Sequence, residues 1–197
     1  MQSTLLRSVA NYKGKWGGLG MSERADEPVV VRAIAMSDVD AFRAMRIEAL
    51  RTCPLSFTAD LAETEARTPD AWREQVARAL GSGSSVILLA DAGARGLVGM
   101  AGVFTPPQPK LSHVGTIWGV FVRESLRRRG VGEALIRAAI DWARHKGLVG
   151  LRLSSVQGND GSLRLYERCG FVAYGVEPQA VQWEGKLYDE TLLAMRL

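Results

Sequence analysis

An α/β (α+β) domain is the fold class this sequence predicts, and three observations carry it. Short β-branched or apolar runs alternate with stretches whose apolar residues recur at three- and four-residue steps. In chain order these segments read β-α-α-β-β-β-α-β-α-β-β over about residues 29 to 197. The 197 residues, 47% apolar and 23% charged, have the size and composition of one soluble globular unit.

Residues 1 to 27 stand apart, with glycines 14, 17, 18 and 20 interrupting any pattern and a polar, charged run from Ser22. We expect a tail here, flexible or a translated leader, followed by a single domain over 28–197. Gly17-Gly18 is encoded by two GGN codons, which can spell a ribosome-binding sequence just ahead of Met21. Met21 is therefore a candidate natural start in a bacterial gene; an ordered arm is the alternative, and the mass of the protein made from its own gene decides.

Val29 to Ile34 is a β-branched strand, and Ser37-Asp38 is placed to cap the helix that presents Val39, Phe42, Met45 and Leu50. Cys53-Pro54 stops that helix, and residues 54 to 68 read as a polar, acidic connection with Asp60, Glu63 and Glu65. Thr68-Pro69-Asp70 opens a second helix through Trp72, Val76 and Leu80, ended by Gly81-Ser82-Gly83. Two strands follow, Val86 to Ala90 and Leu97 to Phe104, joined by a turn containing Gly93 and Gly96. Pro106, Pro107 and Pro109 separate them from a strand at Val114 to Val122. After the helix ending near Gly147 come a strand from Leu148 to Val156, a turn, a short helix from Ser162 to Arg168, and strands near Phe171 to Gly175 and Leu187 to Met195.

Residues 117 to 147 carry the first chemistry. A buried strand runs into Arg127-Arg128-Arg129-Gly130-Val131-Gly132, and Ala134, Leu135, Ala138, Ala139 and Trp142 mark one face of the helix beyond. The N–H groups of a helix start have no partner within the helix and carry the positive end of its dipole. Gly130 and Gly132 leave those donors uncovered, and guanidinium groups match phosphate oxygens, so a polyphosphate is the expected ligand. A P-loop requires Gly-Lys-Ser or Gly-Lys-Thr, which is absent, and the third glycine of a dinucleotide fingerprint is missing.

Arg127 to Gly132 resembles the [R/Q]-x-x-G-x-[G/A] signature of the GCN5-related N-acetyltransferase (GNAT) family. Tyr166-Glu167-Arg168-Cys169-Gly170-Phe171 resembles its Y-x-x-x-G-F signature, and Asn159 stands seven residues before the tyrosine. The resemblance implies the GNAT acyl-CoA N-acyltransferase fold, a mixed central sheet of about seven strands flanked by about four helices. It further implies acetyl-CoA as cosubstrate, held by Val120, Val122, Arg127, Arg128, Arg129, Gly130, Val131, Gly132, Glu133 and Asn159. The activity implied is direct transfer of the acetyl group to a primary amine, on a small molecule or a peptide, in a ternary complex. A non-catalytic acyl-CoA sensor and a transferase for a longer acyl group are the alternatives.

Transfer expels a thiolate, and a phenol with pKa about 10 can protonate or hydrogen-bond it, which makes Tyr166 the candidate general acid. A tyrosine that merely fills core, with its hydroxyl on a carbonyl, is the other reading of that position; an ordinary turn residue is the other reading of Asn159. By resemblance the backbone N–H of Val120 faces the developing oxyanion, and Gly119 permits a bulge beside it. The acceptor ammonium must lose a proton before it attacks. Strand 114–122 has no carboxylate, and Ser154 stands where some relatives carry a glutamate. The base is therefore open between Asp60, Glu63, Glu65 and a water chain, Glu124 being poorly placed. Trp183, Glu184 and Tyr188 could line the acceptor site.

A net charge of +4 without a lysine-rich run disfavours nucleic acid as a partner. Cys53 and Cys169 read as small buried thiols of a reducing compartment, and two scattered histidines suggest no metal. No apolar run is long enough for a membrane span and no usual signal peptide is present, so we expect a cytoplasmic protein without membrane partners. The final strands of such folds often pair between subunits, which makes a homodimer possible.

Overall fold

A computed structural model describes residues 28–197; the proposed tail and the Met21 start lie outside the described residues. The strands are β1 (Val30–Ala33), β2 (Ser85–Asp91), β3 (Leu97–Phe104), β4 (Val114–Val122), β5 (Gly150–Val156), β6 (Val172–Trp183) and β7 (Lys186–Arg196). The helices are α1 (Val39–Thr52), α2 (Leu61–Ala66), α3 (Pro69–Gly81), α4 (Val131–His145) and α5 (Asp160–Arg168). Seven strands form one mixed sheet in the order β1-β2-β3-β4-β5-β7-β6, antiparallel throughout except for the parallel pair β4 and β5. This is the expected architecture with one more helix.

The additional helix is a correction to the connection read over 54 to 68. Pro54–Ser56 is a 3-10 turn, and α2 follows because Asp60 caps it, accepting from the Glu63 N–H at 2.8 Å. Six residues are too few to show a helical period, which hid it. Thr68 caps α3 as expected, accepting from the Ala71 N–H at 3.2 Å. Asp38 does not cap α1. Its carboxylate turns back to the Ala35 N–H at 2.7 Å and to Arg32 at 2.6 and 2.8 Å, and this guanidinium holds the carboxyl below its ordinary range. The last hairpin is also longer than expected, since β6 continues past Gly175 to Trp183 through an irregular stretch.

Two cores sandwich the sheet. On one face α4 buries Leu135, Ile136, Ala139 and Ala143 against Leu88, Val103, Leu151, Leu153 and Leu193. On the other, Phe42 and Met45 of α1 and Trp72 and Val76 of α3 pack on Leu89, Met100 and Phe121. Phe42 meets Trp72 edge-on, with centroids 5.8 Å apart. The bidentate pair of Arg123 with Glu48 (2.9 to 3.1 Å) ties α1 to the end of β4. Among the described residues no helix is long and apolar enough to cross a membrane, and no cluster of residues could hold a metal.

Candidate active site

The central feature is where β4 and β5 part. They pair only through Val114–Thr116 and Gly150–Arg152, so the β5-facing edge of β4 is unpaired from Ile117 onward. A cleft of about 950 Å³ opens there, lined by 117 to 122 on one side and 153 to 159 on the other. Opposite, β3 holds β4 with a change of register: Met100 pairs with Phe121 and Gly102 with Trp118, leaving Gly119 and Val120 facing Ala101 alone. Gly119 takes φ +66, a conformation that costs a side-chain-bearing residue about 1–2 kcal/mol. The expected bulge is therefore present, with Val120 on the cleft.

At the mouth, Gly130 with φ +79 begins α4, and the first intrahelical bond of this turn runs from the Ala134 N–H to the Gly130 carbonyl. The N–H groups of Val131, Gly132 and Glu133 are thus left for an anion. Gly132 lines the cleft where it presses on α5: a Cβ there would lie 3.1 Å from Leu165 Cδ2. Arg127, Arg128, Gly130 and Glu133 line the same mouth. Arg129 is exposed outside it, and the Val131 side chain enters the core, leaving only its backbone for a ligand. Arg128 holds φ +59, uncommon without a glycine, at the point where its charge meets the cleft.

Arg127 is held in place: its Nε donates to the Val122 carbonyl at 3.0 Å and its Nη2 approaches Cys53 Sγ at 3.1 Å. Cys53 is accordingly half-buried in the cleft wall, a correction to its reading as a buried thiol; Cys169 is buried, and burial raises its pKa. Nothing in the sequence pointed from residue 127 to residue 53. Asn159 caps α5, accepting from the Ser162 N–H at 3.3 Å, and its amide donates to Ser56 Oγ at 3.4 Å across the cleft. Val122 also lines the cleft. A free β4 edge, uncovered helix donors and two arginines are the surroundings that a pantetheine arm and a pyrophosphate require.

Tyr166 reaches this cleft from α5 while 6% exposed, its ring edge-on to Phe171 at 6.3 Å. Burial pushes its pKa up to about 12, partly offset by a hydrogen bond from Ser162. The residue thus belongs to the core and also lines the cleft.

The sequence-derived bases lie elsewhere. Asp60 is committed to its cap, Glu65 is bonded to Arg51, and Glu63 is exposed; none of the three lines the cleft. Glu124 is exposed on a 3-10 turn. Of the three hairpin residues Trp183 reaches the cleft, whereas Glu184 sits in the turn and Tyr188 pairs with Val181. Two features were missed altogether. Glu190 of β7 lines the cleft, and Arg46 of α1 stands behind it, its guanidinium 4.9 Å from the Phe57 ring centre and 5.6 Å from Trp118. Arg46 Nη1 is buried without a hydrogen-bond partner among the described residues, and burial, followed by the charge of Arg67, lowers the pKa of Arg46 to about 10.

Splayed parallel strands, an uncovered helix start and a tyrosine lining the cleft are the class of site the fold presents. The model of the acetyltransferase (GNAT) family matches residues 47–171, and the chain belongs to that family. A segment of 78 residues, 40% of this chain, is 36% identical to 45% of the L-methionine sulfoximine/L-methionine sulfone acetyltransferase of Pseudomonas aeruginosa. A segment of 80 residues, 41% of the chain, is 29% identical to 46% of the streptothricin acetyltransferase of Escherichia coli. The chain thus spans about half the length of the curated relatives it matches. In fold it is similar to a GNAT-family acetyltransferase from Streptococcus pneumoniae (TM-score 0.75, 21% identity, covering 86% of this chain and 99% of that one). It is likewise similar to spermidine N-acetyltransferase from Vibrio cholerae, solved with CoA and spermine (TM-score 0.70, 15% identity, covering 85% and 95%).

Proposed function

We propose that this chain is a cytoplasmic, bacterial N-acetyltransferase that moves the acetyl group of acetyl-CoA directly onto a primary amine within a ternary complex. The observation that carries the reading is the cleft, which combines the Gly119–Val120 bulge, the uncovered start of α4 and Tyr166. Arg127, Arg128 and the α4 N–H groups bind the pyrophosphate, and the free edge of β4 bonds the pantetheine arm. The Val120 N–H donates to the oxygen on which negative charge develops, a role for which preorganised donors are worth several kcal/mol, about 3 in comparable cases. Tyr166 donates to the departing thiolate. The dry surroundings that raise its own pKa disfavour the thiolate anion too, so donor and acceptor stay matched.

A small amine of amino-acid type is the favoured acceptor over a peptide. The name of the Pseudomonas relative supports it, as does the Arg46 guanidinium behind Phe57 and Trp118, whose Nη1 has no hydrogen-bond partner among the described residues and which suits a carboxylate better than a polycation. A homodimer is supported by β6, an edge strand with Val172, Tyr174 and Val176 exposed; light scattering of the purified protein should give twice the chain mass. The activity is tested by incubating protein and acetyl-CoA with amino acids, polyamines and peptides. Thiol release with an acetylated product by mass spectrometry is expected; acetyl-CoA binding without product overturns the enzyme reading.

A further inference from the structure

We infer that Glu190 is the general base that takes the proton from the acceptor ammonium, an inference that rests on the N-acetyltransferase reading above. Two carboxylates line the cleft, Glu133 and Glu190. Glu133 lies in the first turn of α4 and is bridged to Arg137 at 2.7 Å, which commits it to the phosphate end. The half-buried carboxylate of Glu190 has no hydrogen-bond or ion-pair partner among the described residues. A carboxylate in a cleft wall with nothing to neutralise it is available to a cation arriving there.

Register shows the side from which it acts. Glu190 pairs with Val156 on β5, and Leu192 with Ser154. Three residues along β7, Leu193 pairs with Leu153 inside the core that contains α4 and Tyr166. Side chains alternate along a strand, so Glu190 lies on the opposite face of the sheet from Leu193, the face that α1 covers at β3. Glu190 and Tyr166 therefore approach the opening between β4 and β5 from opposite faces. The nitrogen adds to one face of the planar thioester while the sulfur lies in that plane, so base and acid serve the carbonyl carbon from different sides, as these two positions allow. Ser154 lines the cleft on the strand beside Glu190, so the position where some relatives carry a glutamate is occupied here by a short serine that leaves room for a carboxylate from the next strand.

The protons balance. Glu190 takes one from the ammonium and passes it to solvent; the neutral nitrogen forms the C–N bond as the C–S bond breaks. Tyr166 gives its proton to the sulfur, and the second N–H proton replaces it. Glu177 stands directly across from Glu190 on β6, and the other charged residues that line the same cleft are Arg168 from α5 and Arg127, Arg128 and Glu133 toward its phosphate end, none of them bonded to Glu190.

The test is Glu190→Gln, assayed with acetyl-CoA and the best acceptor of the amine panel. At pH 7 we expect kcat/KM for the acceptor to fall on the order of 100-fold, with acetyl-CoA binding by calorimetry unchanged. The deficit should shrink about tenfold per pH unit toward the acceptor's own pKa, because the free amine then needs no base. A loss under about threefold at pH 7, or one that stays constant with pH, overturns the assignment. So does an equal loss in Glu177→Gln, which would ascribe the effect to the hairpin's net charge. A wild-type protein inactive on the whole panel would sink the N-acetyltransferase reading itself, a result distinct from either.

Discussion

Replacing Tyr166 by phenylalanine isolates the chemistry of its hydroxyl. The ring keeps its edge-on contact with Phe171 at 6.3 Å and its place in the core, and the variant forfeits one hydrogen bond with Ser162, worth about 1 kcal/mol. A general acid supplies about 10²–10⁴-fold, so kcat with both substrates saturating should fall by at least 100-fold while the acetyl-CoA Kd is nearly unchanged. The same hydroxyl has a signature in stability. Its pKa is 10.0 in an ordinary setting and is pushed up to about 12 by burial, so the folded protein holds a proton that the unfolded chain releases. The resulting stability is fully present below pH 10 and is lost as pH rises toward 12. Two units at 1.36 kcal/mol each put the loss at about 3 kcal/mol. Denaturant titrations at several alkaline pH values should show this decline in the wild type and its absence in Tyr166→Phe. Turnover within about threefold of wild type would remove the acid role, and parallel alkaline profiles would contradict the burial of the hydroxyl.

Arg128→Gly should move two quantities in opposite directions. Relief of φ +59 adds up to about 1 kcal/mol to thermal stability, whereas loss of the guanidinium weakens acetyl-CoA binding about tenfold or more, read by melting and calorimetry. Gly102→Ala places a Cβ 2.1 Å from the Trp118 ring and should cost about 1–3 kcal/mol in chemical denaturation, with disturbance of the bulge lowering activity. Asp38→Asn breaks the contacts to Arg32 and should cost about 2 kcal/mol at neutral pH. Because Arg32 holds this carboxyl below its ordinary value, its contribution is present above about pH 4 and is lost as pH falls through the folded pKa. The variant should therefore show a flatter acid limb in stability measurements.

Most of the fold was legible because its determinants are local. The apolar period of α4, Thr68 before Pro69, and the β-branched run at Val30 each act over a few residues, and the structure has these elements within a residue or two of their expected bounds. The short α2 and the irregular β6 were not legible, since six residues define no period and a bulge breaks alternation. In the candidate site the glycine turn, Asn159 and Tyr166 could be read because each belongs to a short motif on one segment. Arg127 with Cys53, Arg46 between Phe57 and Trp118, and Glu190 beside Ser154 could not. Each joins segments far apart in the chain.

The sequence by itself determined most of the elements, their order and the glycine-flanked start of α4, because hydrophobic period, caps and glycines operate through neighbouring residues. Only the tertiary structure decided which carboxylates line the cleft. Asp60, Glu63 and Glu65 look equally available in the chain, yet capping, pairing and exposure keep them off the cleft, while the pairing of β7 with β5 turns Glu190 toward it. Strand register has a period of two, so a shift of one residue would have sent that side chain to the other face of the sheet.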